Sequence, residues 1–111
     1  MMNWNEYFTS LIERVGEFAG LAPAAMRGLN TLGNLPATHL EPKIHELIAL
    51  SVAITTRCDG CIATHVQAAL KHGASREEIA EALGVAIALN AGAALTYTAR
   101  VFDAVAAFDK P

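Results

Sequence analysis

The stretch EPKIHELIALSVAITTRCDGCIATHVQAALKHG, residues 41–73, predicts two consecutive helices with a short break between them. Alanine, leucine and other helix-favouring residues dominate it, and Pro42 suits the first turn of a helix. We expect one helix from residues 41–42 to about Thr56. The second opens at Cys58 and ends near residues 72–73, where a glycine provides a typical stop.

The rest of the chain also predicts helices, so the expected fold class is all-α with about six helices. No Asn-Gly or Asp-Gly turn joins two alternating segments, as a hairpin would require. Before the central stretch we expect a helix over Asn5–Phe18, a second from Pro23, and a linker over Gly33–Leu40.

After the central stretch, Ser75 and Glu78 form a capping-box pattern that predicts the start of a fifth helix. We expect this helix to reach about Asn90. Gly92 then predicts a turn or a close crossing, and a last helix reaches about Phe108.

Length and composition indicate the number of domains and the kind of assembly. A chain of 111 residues suits a single domain over 1–111, yet 53% of its residues are hydrophobic and 17% charged. Mean hydropathy is +0.33, which is apolar for a short soluble chain. Polar residues interrupt the most apolar stretch, Ile79–Phe102, so we expect no membrane-spanning segment. A homo-oligomer that buries the excess apolar surface is the preferred interpretation.

Net charge and cysteine content argue against some classes of function and favour others. The net charge of −3 and the lack of a basic run argue against nucleic-acid binding. The first ten residues, MMNWNEYFTS, do not resemble a signal peptide, which predicts a cytoplasmic location. The chain has two cysteines, separated by two residues, a pattern typical of redox or metal chemistry rather than of a disulfide scaffold.

The cysteine pair shares a helix face with a histidine. Cys61 follows Cys58 by three residues and His65 follows Cys61 by four, so the three side chains lie on one side of the helix. A base beside a cysteine matters because the thiolate is the nucleophile. Glu46 stands in an apolar part of the preceding helix, where a carboxylate needs a partner such as an imidazole.

Two arguments compete over which cysteine attacks. The partial positive charge at the helix N-terminus favours Cys58, at about 0.3–1 kcal/mol when exposed. The neighbouring base favours Cys61, and a positioned proton acceptor typically contributes roughly 10²- to 10⁴-fold in rate. We therefore assign Cys61 as the nucleophile and Cys58 as the resolving thiol.

The spacing of these four residues, E-x11-C-x2-C-x3-H from Glu46 to His65, resembles the signature of alkylhydroperoxidase D. That group lies within the broader carboxymuconolactone decarboxylase family. The resemblance covers roughly residues 42–107. One departure is visible: the best-studied members carry a histidine between the two cysteines, where this chain has Asp59 and Gly60.

The resemblance implies an all-helical subunit that forms trimers or hexamers and needs no cofactor or metal. It also implies that Cys61 attacks hydrogen peroxide or a small organic hydroperoxide and becomes a sulfenic acid. Cys58 then closes the disulfide, while His65 and Glu46 relay protons. A dihydrolipoyl or thioredoxin-like protein restores the dithiol. A second thiol that traps sulfenic acid prevents over-oxidation.

Other interpretations of the same residues stay open. Cys58, Cys61 and His65 supply three zinc ligands, but a structural zinc site normally has four. The two cysteines are alternatively inert core residues. The chain is alternatively a lactone decarboxylase of the same family, or a non-enzymatic oligomer that binds zinc or senses redox state.

The remaining aromatic and histidine residues suggest ordinary roles. We expect the N-terminal aromatics to pack internally or between subunits, and Tyr97 and Phe102 to be core residues. His45 is expected on a different face from Glu46. The residues without an expected catalytic role are Trp4, Tyr7, Phe8, His39, His45, His72, Tyr97 and Phe102.

Overall fold

The computed structural model describes residues 1–109, and within them the chain forms five helices and no strand. The helices are α1 (Trp4–Leu21), α2 (Pro23–Gly33), α3 (Pro42–Thr56), α4 (Asp59–Lys71) and α5 (Arg76–Phe108). The predicted all-α class is confirmed. The helix count differs from the expected six, because one long helix replaces the last two.

Helix α5 runs without interruption through Gly92, so the predicted turn there is wrong. Gly92 does not adopt a positive φ; among the described glycines only Gly73 does so, at 85°. The Asn90 side chain donates a hydrogen bond to the Ala86 carbonyl, 2.7 Å away, which keeps it within the helix. A single glycine costs about 1 kcal/mol in a helix, and the alanine-rich flanks tolerate that cost.

Local signals place the ends of the helices. The Asn3 side chain caps α1 by accepting the Glu6 N–H at 3.0 Å. Ser75 and Glu78 form the predicted capping box at the start of α5, with hydrogen bonds of 3.0 and 2.9 Å. Gly73 follows the C-cap of α4 and adopts the left-handed conformation that favours glycine. These contacts join residues close in sequence, which explains why they were predictable.

A small core joins the three central helices. Leu50 of α3, Ala69 of α4 and Ala74 are buried together, and partly buried neighbours of α3, α4 and α5 surround them. Ala69 is 0% exposed, so α3 and α4 approach closely where a larger side chain has no room. An ion pair of 2.8 Å between Lys43 and Glu78 also ties α3 to α5.

The Lys43–Glu78 hydrogen bond raises the pKa of Lys43 and lowers the pKa of Glu78. Both side chains keep contact with solvent, at 28% and 38% exposure. Water therefore screens this pair, and it orients the two helices more than it stabilises them.

Most large apolar side chains lie on the surface of the single chain. Tyr97 is 65% exposed and Phe102 is 71% exposed, so the expectation that they are core residues is wrong for the isolated subunit. The second half of α5 extends beyond the small core that joins its first half to α3 and α4. No other described helix covers these two aromatic rings.

Helix α5 is less interrupted by polar residues than the expectation of no membrane-spanning segment assumed. Residues 82–99 contain no charged side chain, and α5 alone among the described helices is long and apolar enough to cross a membrane by length and composition. Only 6% of its most apolar window is buried in the subunit. Core helices of soluble proteins pass the same test, so the finding concerns composition only.

Candidate active site

The two cysteines lie where α3 ends and α4 begins. Arg57 closes α3 in the left-handed conformation (φ 56°, ψ 51°), and the Cys58 N–H donates to the Ala53 carbonyl at 3.0 Å. This turn reverses the chain and places Cys58 at the N-cap of α4. The sequence predicted the break but not the left-handed arginine that makes it.

Cys58 and Cys61 form a disulfide, with their Cα atoms 5.2 Å apart. The Cys58 sulfur also accepts a hydrogen bond from the Cys61 backbone N–H, at 3.1 Å. A sulfur at this position receives the unpaired N–H groups and partial positive charge of the helix start. The same position stabilises a thiolate when the disulfide is reduced.

His65 and Glu46 form the polar wall of the site on the α3 side. The imidazole Nδ1 lies 2.6 Å from the Glu46 Oε2, across nineteen residues of sequence. Glu46 lies one helical turn before buried Leu50, so its carboxylate faces α4 and is only 18% exposed. A carboxylate that accepts the Nδ1–H leaves Nε2 as the basic nitrogen of His65.

The other wall comes from α1. A Cβ placed on Gly60 lies 2.8 Å from Leu11 Cδ2 and 3.8 Å from the Tyr7 hydroxyl oxygen. A side chain at residue 60 therefore requires Leu11 to move. The sequence did not reveal this contact, because nothing in the pattern of α1 shows which of its faces packs against α4.

An apolar cleft continues from this wall along α4. It holds about 330 Å³ between the start of α1 and the α4 residues that follow Cys61. Its lining consists of Trp4, Asn5, Ile62, Ala63, Val66 and Gln67. The first turns of α4, which carry the cysteine pair, thus adjoin both the His65–Glu46 pair and an apolar cleft.

The arrangement suits thiol–disulfide chemistry. The sulfurs are already paired, a helix start stabilises negative sulfur, and His65 lies one turn beyond Cys61. Within residues 1–109, no group of three or more histidine, cysteine or acidic side chains has the geometry to hold a metal ion. Glu46 pairs with His65 and not with its sequence neighbour His45.

Comparison with known proteins agrees with this architecture. The profile of the carboxymuconolactone decarboxylase family matches residues 14–104. The chain belongs to this family. The predicted family is therefore confirmed, and the match extends further towards the N-terminus than the resemblance seen in the sequence.

Two bacterial proteins have sequences similar to this chain over most of its length. An uncharacterized protein of Haemophilus influenzae is 44% identical over 104 residues, covering 92% of each chain. An uncharacterized protein of Cupriavidus necator is 32% identical over 107 residues, covering 87% of this chain and 90% of its own. These relatives support the family and assign no activity.

A solved structure shares the fold. The crystal structure of apo-lpg0406, a carboxymuconolactone decarboxylase family protein from Legionella pneumophila, superposes with a TM-score of 0.72 at 31% identity. The match covers 96% of this chain and 97% of the Legionella chain. The helical architecture described above is therefore that of a carboxymuconolactone decarboxylase family subunit.

Proposed function

We propose that this family member is a thiol-dependent peroxidase that cycles Cys58 and Cys61 between dithiol and disulfide. The observation that carries the proposal is the Cys58–Cys61 disulfide at the start of α4. It lies one helical turn before His65, which forms a hydrogen bond with the largely buried Glu46 carboxylate. Oxidation of the two thiols by an organic hydroperoxide gives the disulfide, an alcohol and water, and hydrogen peroxide gives water in place of the alcohol.

The electron balance assigns a step to each residue. The Cys61 thiolate attacks the peroxide, the O–O bond breaks, and Cys61 becomes a sulfenic acid while the alkoxide leaves as an alcohol. Cys58 then attacks that sulfur, and the sulfenic oxygen leaves as water. His65 takes the Cys61 proton and passes it to the departing alkoxide, and Glu46 orients the imidazole for this transfer. The Cys58 proton goes to the sulfenic hydroxyl, which leaves as water.

A dithiol must return two electrons to close the cycle. Both cysteines are only partly buried, so a partner sulfur is able to reach the disulfide. We propose a dihydrolipoyl or thioredoxin-like protein in this role, because each presents two thiols that are oxidised together to one disulfide.

Mass spectrometry of the reduced protein tests the proposal directly. One equivalent of hydrogen peroxide is expected to remove both free thiols and two hydrogen atoms per chain, and dithiothreitol is expected to restore them. The experiment uses chelator-treated buffer, so that metal-catalysed oxidation makes no contribution. Two thiols that survive peroxide unchanged would overturn the proposal.

A second candidate follows from the family and from the His65–Glu46 pair. Such a pair also serves as a general base for decarboxylation of a lactone, a reaction that needs no cysteine. Alkylation of both thiols separates the two functions. Lactone decarboxylation that survives alkylation, in a protein without peroxide turnover, would favour this candidate.

We also propose that the protein works as a homo-oligomer. Its surface is 8738 Å², whereas a compact monomer of 11.7 kDa exposes about 5,900 Å². Its radius of gyration is 19.0 Å, against about 13 Å for a compact domain of this length. The difference, about 2,800 Å², is within the size range of obligate subunit interfaces, and many of the exposed large apolar side chains lie along α5.

A charge on the apolar surface of α5 is expected to break the assembly. Leu95 is 71% exposed, so Leu95→Asp removes little packing within the chain but buries a carboxylate between subunits. Analytical ultracentrifugation should give a multiple of 11.7 kDa for the wild type and a smaller mass for the variant. Thr9→Asp, at an exposed polar position of α1, is the matched control. A monomeric wild type, or an unchanged mass for Leu95→Asp, would contradict the proposal.

A further inference from the structure

The turn between the two cysteines is covered by one face of α1. Gly60 precedes Cys61 directly, and the space beside its Cα is filled by Leu11 and by the hydroxyl end of Tyr7. Tyr7 and Leu11 are four residues apart, so they are neighbours on the same side of α1. The contact therefore involves a defined helix face rather than a single chance approach.

Three features fix the position of Tyr7. The Asn3 cap sets the start of α1, and the Tyr7 N–H donates to the Asn3 carbonyl at 3.0 Å. The Trp4 and Tyr7 rings meet edge to face, with centroids 5.9 Å apart. Leu11 anchors the next turn of α1 against Gly60. The phenol thus stands over the turn as part of a packed element.

The Tyr7 hydroxyl is free to donate a hydrogen bond. Within residues 1–109 it forms none with another residue, although the side chain is partly buried. The hydroxyl oxygen is not fully buried, so water serves as its partner until an anion, which is a stronger acceptor, lies within reach. The paired sulfurs carry no negative charge, whereas a reduced cysteine carries one once its thiol loses the proton.

We propose that the Tyr7 hydroxyl is the hydrogen-bond donor to the Cys61 thiolate in the reduced protein. The proposal rests on the proposed dithiol function and adds a residue to it. Helix α1 then has a chemical role, because its Tyr7 hydroxyl lies beside the turn that holds the two cysteines. Leu11 acts as a positioning residue, since it packs against Gly60 one helical turn from Tyr7.

The other charged groups near the cysteine pair are few and separable from Tyr7. His65 lies on α4 and Glu46 on α3, Asp59 is exposed within the turn itself, and the exposed Arg57 directly precedes Cys58. Each of them keeps its place when the Tyr7 hydroxyl alone is removed. A change caused by Tyr7→Phe therefore reports on the hydroxyl and not on these groups.

The test is the pH dependence of thiol alkylation in the reduced full-length protein. Tyr7→Phe keeps the ring packed against Trp4 and removes only the oxygen. Iodoacetamide should then require a higher pH to reach half of the maximal alkylation rate at Cys61, located by peptide mass spectrometry, with a shift of about one pH unit. Tyr97→Phe, on the exposed part of α5, is the matched control and should follow the wild type.

The two proposals fail in different ways. An alkylation profile of Tyr7→Phe that coincides with those of the wild type and Tyr97→Phe would overturn the role of Tyr7, whatever the peroxide turnover. A wild type that ignores peroxide, with the profile of Tyr7→Phe still shifted, would refute the peroxidase function and leave the hydrogen bond supported. Leu11→Ala, which retains the hydroxyl but loosens α1, should give an intermediate shift.

Discussion

Cys61→Ser is expected to abolish peroxide consumption, whereas Cys58→Ser is expected to consume one equivalent and then stop. Serine has nearly the shape of cysteine but is not ionised at neutral pH, so the first variant lacks the nucleophile. The second variant retains it but cannot form the internal disulfide, and its Cys61 should accumulate as a sulfenic acid. This difference separates the attacking sulfur from the resolving one.

Single-turnover peroxide assays with mass spectrometry measure both variants. Dimedone labelling identifies the sulfenic acid, and Thr64→Ala, at an exposed position of α4, serves as the control. The reverse pattern, with one equivalent consumed by Cys61→Ser and none by Cys58→Ser, would exchange the two roles. The N-cap position of Cys58 and its hydrogen bond from Cys61 N–H make this assignment worth testing.

Loss of the basic nitrogen at His65 is expected to lower kcat/KM for peroxide by roughly 10²- to 10⁴-fold. His65→Gln keeps a polar side chain beside Glu46 but cannot accept the Cys61 proton. Glu46→Gln should cost less, because it removes the group that orients the imidazole and leaves the imidazole itself. Steady-state peroxide assays on both variants give the comparison.

Chemical rescue distinguishes a proton acceptor from a structural contact. Added imidazole is expected to restore part of the activity of His65→Gln and none of the activity of Cys61→Ser. His45→Gln, one residue before Glu46, is the control and should retain wild-type kcat/KM. Equal activity of His65→Gln and His45→Gln would contradict a catalytic role for His65.

The proposed assembly also bears on the site. The chain buries few of its large apolar side chains, and the exposed ones extend along α5 and over the first two helices. A neighbouring subunit that covers this surface would hold α1 against the cysteine turn. Disruption of the oligomer by Leu95→Asp is therefore expected to change the environment of the thiols as well as the mass.

Short-range signals in the sequence predicted most of the helices. The prolines at residues 23 and 42, the Ser75 capping box and Gly73 each act through neighbours within a few residues. The placement of Cys58, Cys61 and His65 on one face follows from helical geometry alone. These features needed no knowledge of how the helices pack, so the sequence was sufficient for them.

The wrong prediction of a turn at Gly92 also came from a short-range signal. A glycine after Asn90 is a common end signal, but here the favourable propensity of the surrounding alanines outweighs it. Likewise, Tyr97 and Phe102 have the composition of core residues, and whether a single subunit covers them depends on where α5 leaves the core. The first case depends on the helix propensity of a longer segment, and the second depends on how the helices pack. A pattern of a few residues describes neither.

Long-range contacts were decided by the tertiary structure. The sequence indicated that Glu46 needed a partner, but only the path of the chain through Arg57 brings its carboxylate within 2.6 Å of His65. It gave no indication that Leu11 and Tyr7 meet Gly60. By itself the sequence determined the helices and the reactive face of α4, because these follow from local backbone hydrogen bonding and side-chain spacing. The tertiary structure decided which groups surround the sulfurs, because contacts across many residues depend on how whole helices pack.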